Sequence, residues 1–169
     1  SLVSLSGLDS LTSLPGGLEV TDNPTFSSLE GLSGVSGSMA DLFIRNAPVT
    51  SLQPLSQLGD ISYRIVIDNT HLDDLSGLQQ IEPFTGALII GDLGDHPLSS
   101  AAQLPVGGSL TELYMDTLLA TDEWPNFSQM VSVSGSVLLS VGTMADLGDA
   151  FPLLQSIDGQ LHIDDVPRD

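Results

Sequence analysis

The sequence contains no cysteine and no lysine. Without cysteine, the chain has no disulfide, no thiolate metal site and no cysteine nucleophile. Its three basic residues, Arg45, Arg64 and Arg168, stand against 22 acidic residues, and the formal net charge is −19. Because contacts to phosphate groups require Lys and Arg, this balance excludes nucleic acid as a partner. It also disfavours an anionic membrane surface.

Aromatic residues make up only 5% of the chain, and no apolar run is long enough to cross a membrane. We therefore predict no direct membrane insertion. The hydrophobic content of 41% still supplies a core, and 169 residues suit one domain, 1–169. Because no polar cap is visible at either end of the repeats, a fragment of a longer surface protein is also an expectation.

Short alternating apolar pairs recur along the whole chain. They are Leu18/Val20, Leu42/Ile44, Ile65/Ile67, Leu88/Ile90, Leu113/Met115, Val137/Leu139 and Leu161/Ile163. Successive pairs are separated by 24, 23, 23, 25, 24 and 24 residues. A fixed period of this size indicates a solenoid. Each pair is interpreted as a short strand with two inward side chains, and because every coil runs the same way, the strands are predicted to be parallel.

Between the pairs, apolar residues recur at every third position. These segments are Leu2 to Leu14, Phe26 to Val35, Val49 to Ile61, Leu72 to Ile81 and Val141 to Ile157. A step of three drifts around an α-helix by roughly 60° each time, so one α-helix does not keep these side chains on one face. We predict short helical turns, corners and extended pieces, with every third residue pointing inward. In the less regular fifth and sixth repeats, Trp124 and Phe127 are expected to fill the core.

Asn and Asp follow the first three pairs, at Asp22-Asn23, Asn46 and Asp68-Asn69. Their short polar side chains bond readily to local backbone, so a stacked polar row with a structural role is predicted where the chain leaves each strand. The fourth repeat carries the segment 91–97, with two carboxylates beside His96. It lacks the spacing of a calcium loop and is interpreted as a surface loop. We predict no metal site and no cofactor.

The segment Gly16-Gly17-Leu18-Glu19-Val20-Thr21-Asp22-Asn23-Pro24, followed by Ser27-Ser28-Leu29-Glu30-Gly31-Leu32, resembles the receptor L domain, the leucine-rich module of the insulin and epidermal growth factor receptors. It is most similar to the cysteine-free versions in microbial surface proteins. The likeness is strongest up to about residue 90, and ordinary leucine-rich repeats are the close alternative. The resemblance implies a module that binds protein ligands across its sheet face. No functional residue carries over by motif.

The predicted fold is a mainly β solenoid: a right-handed, parallel β-helix-like leucine-rich repeat with about seven coils of about 24 residues and short helical turns. In this register the residue between each inward pair points outward. That central row is Glu19, Phe43, Val66, Ile89, Tyr114, Leu138 and His162. Its five apolar members form a stripe with charged edges, which is typical of a protein-binding surface. A stripe that is covered, or that merely favours strand formation, is the competing interpretation.

The predicted ligand-binding residues lie on this face. They are Phe43, Arg45, Arg64, Val66, Asp68, Ile89, Glu112, Tyr114, Asp116 and Leu138. The predicted function is a non-catalytic protein- or glycan-binding or adhesion module of a secreted or cell-surface protein, with self-association as a further expectation. No catalytic residue is predicted.

Three alternatives remain open at this point. A structural spacer in a large extracellular protein needs no ligand. A carbohydrate-active enzyme on a β-helix is weaker, although Arg64, Glu112, Asp68 and Asp116 provide acidic and basic groups on one face. The acidic composition is interpreted as a surface kept soluble by self-repulsion, and a calcium-loaded protein is the alternative to that interpretation.

Overall fold

The chain forms a parallel β-solenoid. The structure, a computed structural model, describes residues 2–91, 98–116, 124–140 and 147–164. Within these ranges the strands are β1 Leu18–Thr21, β2 Gly37–Arg45, β3 Leu58–Asp68, β4 Ala87–Ile90, β5 Ser109–Leu110, β6 Glu112–Asp116, β7 Ser132–Val133, β8 Val137–Ser140, β9 Ser156–Ile157 and β10 Leu161–Asp164. The described residues contain only two helical turns, the 3₁₀ helices Gln53–Leu55 and Ser76–Leu78. None of them is long and apolar enough to cross a membrane.

Seven strands form the large sheet in the order β1-β2-β3-β4-β6-β8-β10, and β5, β7 and β9 form a second, smaller sheet. All neighbours in both sheets are parallel. This confirms the parallel β-solenoid. The predicted right-handed coil, leucine-rich type and number of about seven coils are finer statements and stay predictions.

The predicted alternating pairs are confirmed as the rungs of the large sheet. Leu18 lies opposite Leu42, and Val20 lies opposite Ile44. The same register continues through the other five strand pairings. The inward side chains are almost fully buried from β2 to β8, but Leu161 and Ile163 on the edge strand β10 are 57% and 45% exposed. An edge strand has a neighbouring strand on one side only, so its inward side chains are covered from one side only.

Single turns explain the period-three segments. The amide of Leu32 donates to the carbonyl of Leu29, and the amide of Val35 donates to Leu32. The same three-residue step closes turns from Leu52 to Leu55 and from Leu75 to Leu78. Each turn places its first and last residues on the inner side, so the chain bends around the core without forming a long helix.

The three middle segments confirm that every third residue points inward. Their apolar residues, from Phe26 to Val35, from Val49 to Ile61 and from Leu72 to Ile81, are at most 5% exposed. The prediction was wrong at the start of the first segment, where Leu2 and Leu8 are 57% and 46% exposed. These residues lie in the outermost turns, which have a packed coil on one side only. In the last segment, residues 141 and 144 lie outside the described ranges.

Aromatic side chains fill the core in the irregular repeats, as predicted. Trp124 and Phe127 are 3% and 1% exposed. Their rings meet edge to face at 6.2 Å, and Phe151 stacks on Phe127 with ring centroids 4.8 Å apart. Such contacts add to the free energy gained from burial alone. They replace the shorter leucine side chains of the regular repeats.

A ladder of Asp22, Asn46 and Asn69 marks the ends of the first three strands of the large sheet. The Nδ2 of Asn46 donates to Oδ1 of Asp22 at 2.6 Å, and the Nδ2 of Asn69 donates to Oδ1 of Asn46 at 3.0 Å. All three residues have positive φ, between 48° and 52°. Asn and Asp tolerate this left-handed conformation better than most residues. The predicted polar row is therefore confirmed. The predicted surface loop falls largely on residues 92–97, which lie outside the described ranges.

Candidate functional site: the outer face of the large sheet

The central outward row is aligned as the sequence predicts. Register partners run without interruption from the first to the last strand of the sheet. The row is Glu19, Phe43, Val66, Ile89, Tyr114, Leu138 and His162. Its five apolar members are contiguous, and we call Phe43 to Leu138 in this row the apolar stripe.

The stripe is only partly exposed. Phe43, Ile89, Tyr114 and Leu138 are half-buried. Val66 is 2% exposed, so the expectation of an exposed side chain at this position was wrong. Val66 lies between its register partners Phe43 and Ile89 on the adjacent strands, and it is covered although its position in the strand points it away from the core. The usable apolar surface therefore lies on either side of Val66.

Two arginines flank Phe43. The guanidinium carbon of Arg45 lies 5.5 Å from the centroid of the Phe43 ring, and that of Arg64 lies 5.8 Å from it. Both distances are within the range of a cation–π contact. The two side chains reach the ring from β2 and from β3, so both guanidinium groups lie close to it.

Each of these arginines is also paired with a carboxylate on the neighbouring strand. Arg45 Nε lies 2.8 Å from Oδ2 of Asp68, and Arg64 Nε lies 2.7 Å from Oδ1 of Asp41. The hydrogen bond to Asp41, and then the charge of Asp41, raise the pKa of Arg64 above its ordinary value. Arg45, Arg64 and Asp68 were predicted as ligand contacts, and the structure places all three in this self-paired cluster.

The remaining predicted residues lie towards the other end of the sheet. Glu112 is exposed at the start of β6, opposite Ala87. Tyr114 and Asp116 follow on the same strand and the same face. The hydroxyl of Tyr114 donates to Oδ2 of Asp116 across 3.4 Å.

Next to Tyr114 the outer face contains an open cleft that the sequence prediction missed. Its volume is about 250 Å³, and its outward lining is Tyr114, Asp116, Leu138, Ser140, His162 and Asp164. Ser140 lies between Asp116 and Asp164 in register. Because the side chain of Ser140 is smaller than those of its two neighbours, it leaves space for the cleft. The half-buried Leu138 also lines this cleft. The signal in the sequence was the position of His162 and Asp164 in the outward rows.

His162 and Asp164 form a pair on β10. The Nε2 of His162 lies 2.8 Å from Oδ2 of Asp164, and both side chains are more than half exposed. In the tautomer with its proton on Nε2, the imidazole donates to the carboxylate, and Nδ1 acts as an acceptor. The pair adds hydrogen-bonding groups to the rim of the cleft.

Charge is distributed unevenly over this face. On β1 to β3, the two arginines lie among Glu19, Asp41 and Asp68. From β4 to β10, the outward rows carry three carboxylates, Glu112, Asp116 and Asp164, and no arginine. The end of the face with the cleft is therefore strongly acidic, which disfavours an anionic ligand there.

The four residues of the enzyme alternative are divided between these two regions. Arg64 and Asp68 belong to the arginine pairs on β3, whereas Glu112 and Asp116 lie on β6, with β4 between them. Within the described ranges, no three His, Asp or Glu side chains are grouped so that they could hold a metal ion.

Comparisons with known proteins found no match to this chain, whether among protein-family models, curated proteins or solved structures.

Proposed function

We propose that this protein is a non-catalytic binding or adhesion module that recognises a protein or glycan ligand with the outer face of its large sheet. The observation that carries the proposal is the contiguous apolar stripe, whose half-buried members Ile89, Tyr114 and Leu138 lie side by side on adjacent strands. An apolar strip with a charged rim is the composition expected of a recognition surface. Aromatic side chains such as Tyr114 are typical anchors of such surfaces.

The part of the face that we assign to the ligand is narrower than the sequence suggested. Arg45 and Arg64 both contact the ring of Phe43, and Arg45 forms an ion pair with Asp68. Val66 is covered. The ligand surface therefore extends from Ile89 towards β10. The contacts among the arginines, their carboxylates and Phe43 support a second candidate function, a structural spacer. This support applies to the part of the face formed by β1 to β3 and not to the rest.

We also propose the finer assignments of fold and location. The coil is right-handed, with about seven repeats of the leucine-rich, receptor L domain-like type, and the protein is secreted or located at the cell surface. Support for the repeat type comes from the strand period of 23 to 25 residues and from the resemblance around Gly16 to Pro24. The acidic composition supports an extracellular location, because self-repulsion keeps such surfaces soluble.

The test is a binding screen of the immobilised chain against a glycan array and a panel of purified extracellular proteins. Each ligand found is measured again with Ile89→Lys, which places a charge in the stripe at a half-buried position. The matched control is Tyr63→Lys, since Tyr63 is 68% exposed and lies outside the stripe. Circular dichroism establishes that both variants are folded.

Binding that Ile89→Lys weakens at least tenfold and Tyr63→Lys leaves unchanged supports the proposal. A panel without any ligand, or ligands that both variants bind equally well, would overturn it in favour of the spacer. Light scattering adds a third result: a dimer that Ile89→Lys dissociates would show that the stripe recognises a second copy of the chain.

A further inference from the structure

The cleft beside Tyr114 combines two kinds of surface. The ring of Tyr114 and the side chain of Leu138 are apolar, whereas Asp116, Ser140, His162 and Asp164 carry hydrogen-bonding groups. Ligand sites typically combine an apolar lining with a few placed polar groups. The cleft is small and open to solvent. Its size suits a ligand group of one ring better than several side chains of a protein ligand.

We propose that this cleft binds one ring of a neutral sugar, so the ligand of the outer face is a glycan. This inference rests on the proposed function and names the ligand class of the same face. A sugar ring presents an apolar C–H face and a rim of hydroxyl groups. The C–H face packs on Tyr114 and Leu138. The hydroxyl groups donate to the carboxylates, which are acceptors only.

The rows of side chains give the acceptors a regular spacing. Asp116, Ser140 and Asp164 occupy the same position on three adjacent strands. Adjacent strands lie about 4.8 Å apart, so the two carboxylate residues are separated by roughly 10 Å between their backbones. A single ring lies between them, and Ser140 provides a hydroxyl beneath it.

Charge decides which sugars the cleft accepts. Asp116 and Asp164 line the cleft, and Glu112 lies on the same face, with no arginine on β4 to β10 in the described outward rows. A uronate or a sulfated ring would bring a like charge into this region, and its binding would be opposed. A neutral ring keeps the hydrogen bonds without that repulsion.

His162 adds an acceptor to the cleft. In the tautomer with its proton on Nε2, its ring donates one hydrogen bond to Asp164, and Nδ1 accepts a hydrogen bond from a sugar hydroxyl.

Nuclear magnetic resonance titration of the 169-residue chain tests the inference. The probes are the methyl glycosides of glucose, galactose and mannose, with methyl glucuronide as the anionic counterpart and N-acetyl-lysine methylamide as a cationic one. At least one neutral glycoside should shift the backbone amide signals of Tyr114, Leu138 and His162. Asp164→Asn and His162→Ala should weaken this binding at least tenfold. Glu19→Gln, at the other end of the same face, should not change it.

Three results would overturn the inference. They are the absence of shifts with every neutral glycoside, equal shifts with the glucuronide, and shifts at the cleft with the lysine amide alone. The last result would identify a pocket for a basic side chain of a protein ligand. In each case the proposed function survives if the screen yields a ligand that is sensitive to Ile89→Lys, because that position lies outside the cleft. If the screen yields no such ligand, both fail.

Discussion

The guanidinium of Arg45 lies 2.8 Å from the carboxylate of Asp68, its register partner on the next strand. On the other side of Phe43 the order of charges is reversed, with Asp41 on β2 and Arg64 on β3. Both ion pairs therefore join β2 to β3, but the positive charge lies on β2 in one pair and on β3 in the other. A slip of one residue between β2 and β3 would turn the inward side chains outward and break both pairs, so the pairs favour the native register.

The Arg45–Asp68 pair should contribute little to global stability. Its side chains are 46% and 23% exposed. A double-mutant cycle with Arg45→Gln and Asp68→Asn should therefore give a coupling energy of about 0.2–1 kcal/mol in urea unfolding. Because salt screens exposed charges, the coupling should decrease in high salt. A coupling well above this range, and unaffected by salt, would show that the pair is shielded from solvent.

The stability that Arg64 contributes through its pair with Asp41 should not change with pH in the neutral range. The hydrogen bond and the charge of Asp41 raise the pKa of Arg64 above its ordinary value. A raised pKa of a base contributes stability that is fully present below the unfolded pKa and is lost only as the pH rises through the folded pKa. The stability lost on Arg64→Gln, measured by thermal unfolding, should therefore be the same throughout the neutral range. A difference that vanishes between neutral and mildly alkaline pH would contradict this assignment.

Val66→Asp should destabilise the protein although the residue points away from the core. The side chain is 2% exposed, and a buried carboxylate without a partner costs about 3 kcal/mol or more. Tyr63→Asp is the matched control on the same strand, where the side chain is 68% exposed and the change should stay within about 0.5 kcal/mol. Urea unfolding of both variants decides the matter. Equal stability of the two variants would mean that Val66 is accessible and belongs to the ligand surface.

Val66 also shows how far the sequence alone could lead. The period of about 24 residues and the strict alternation within strands were enough to predict the register partners of the alternating pairs and of the central outward row, because side-chain direction in a strand alternates with a period of two. They did not predict the first residues of the longer strands β2 and β3, whose register shifts between Gly37 and Asp41. Burial on the outer face depends instead on neighbours in three dimensions. Val66 is covered although it belongs to the outward row, and no pattern within one repeat contains that information.

The cleft near His162 illustrates the same limit. Its depth arises from the small side chain of Ser140 between Asp116 and Asp164, which are 24 residues away on either side. The rows that contain these residues were predicted, but the shape of the surface that they form was not. Predicting the cleft would have required comparing side-chain sizes across rows in addition to their polarity.

Replacing Asn46 should separate backbone strain from the side-chain ladder. Asn46 has a φ of 51°, donates to Asp22 and accepts from Asn69. Asn46→Gly removes both hydrogen bonds but suits the positive φ, whereas Asn46→Ala removes them and adds left-handed strain of about 1–2 kcal/mol. Urea unfolding should therefore rank the stabilities as Asn, then Gly, then Ala. An alanine variant as stable as the glycine variant would show that the turn relaxes to a negative φ.

Gly77 lies where two adjacent coils approach closely, and its replacement should reverse the usual effect of a Gly→Ala substitution. A Cβ at this position would overlap the carbonyl oxygen of Leu52 on the preceding coil, and the two 3₁₀ helices would have to move apart. At Gly59 the nearest atom would lie 3.7 Å from an added Cβ, which is ordinary contact. Gly59→Ala should therefore be neutral or stabilise the protein by up to about 1 kcal/mol, because it lowers the entropy of the unfolded chain. Gly77→Ala should lower the urea midpoint clearly, and a Gly77→Ala variant as stable as Gly59→Ala would mean that the coils are not stacked this closely.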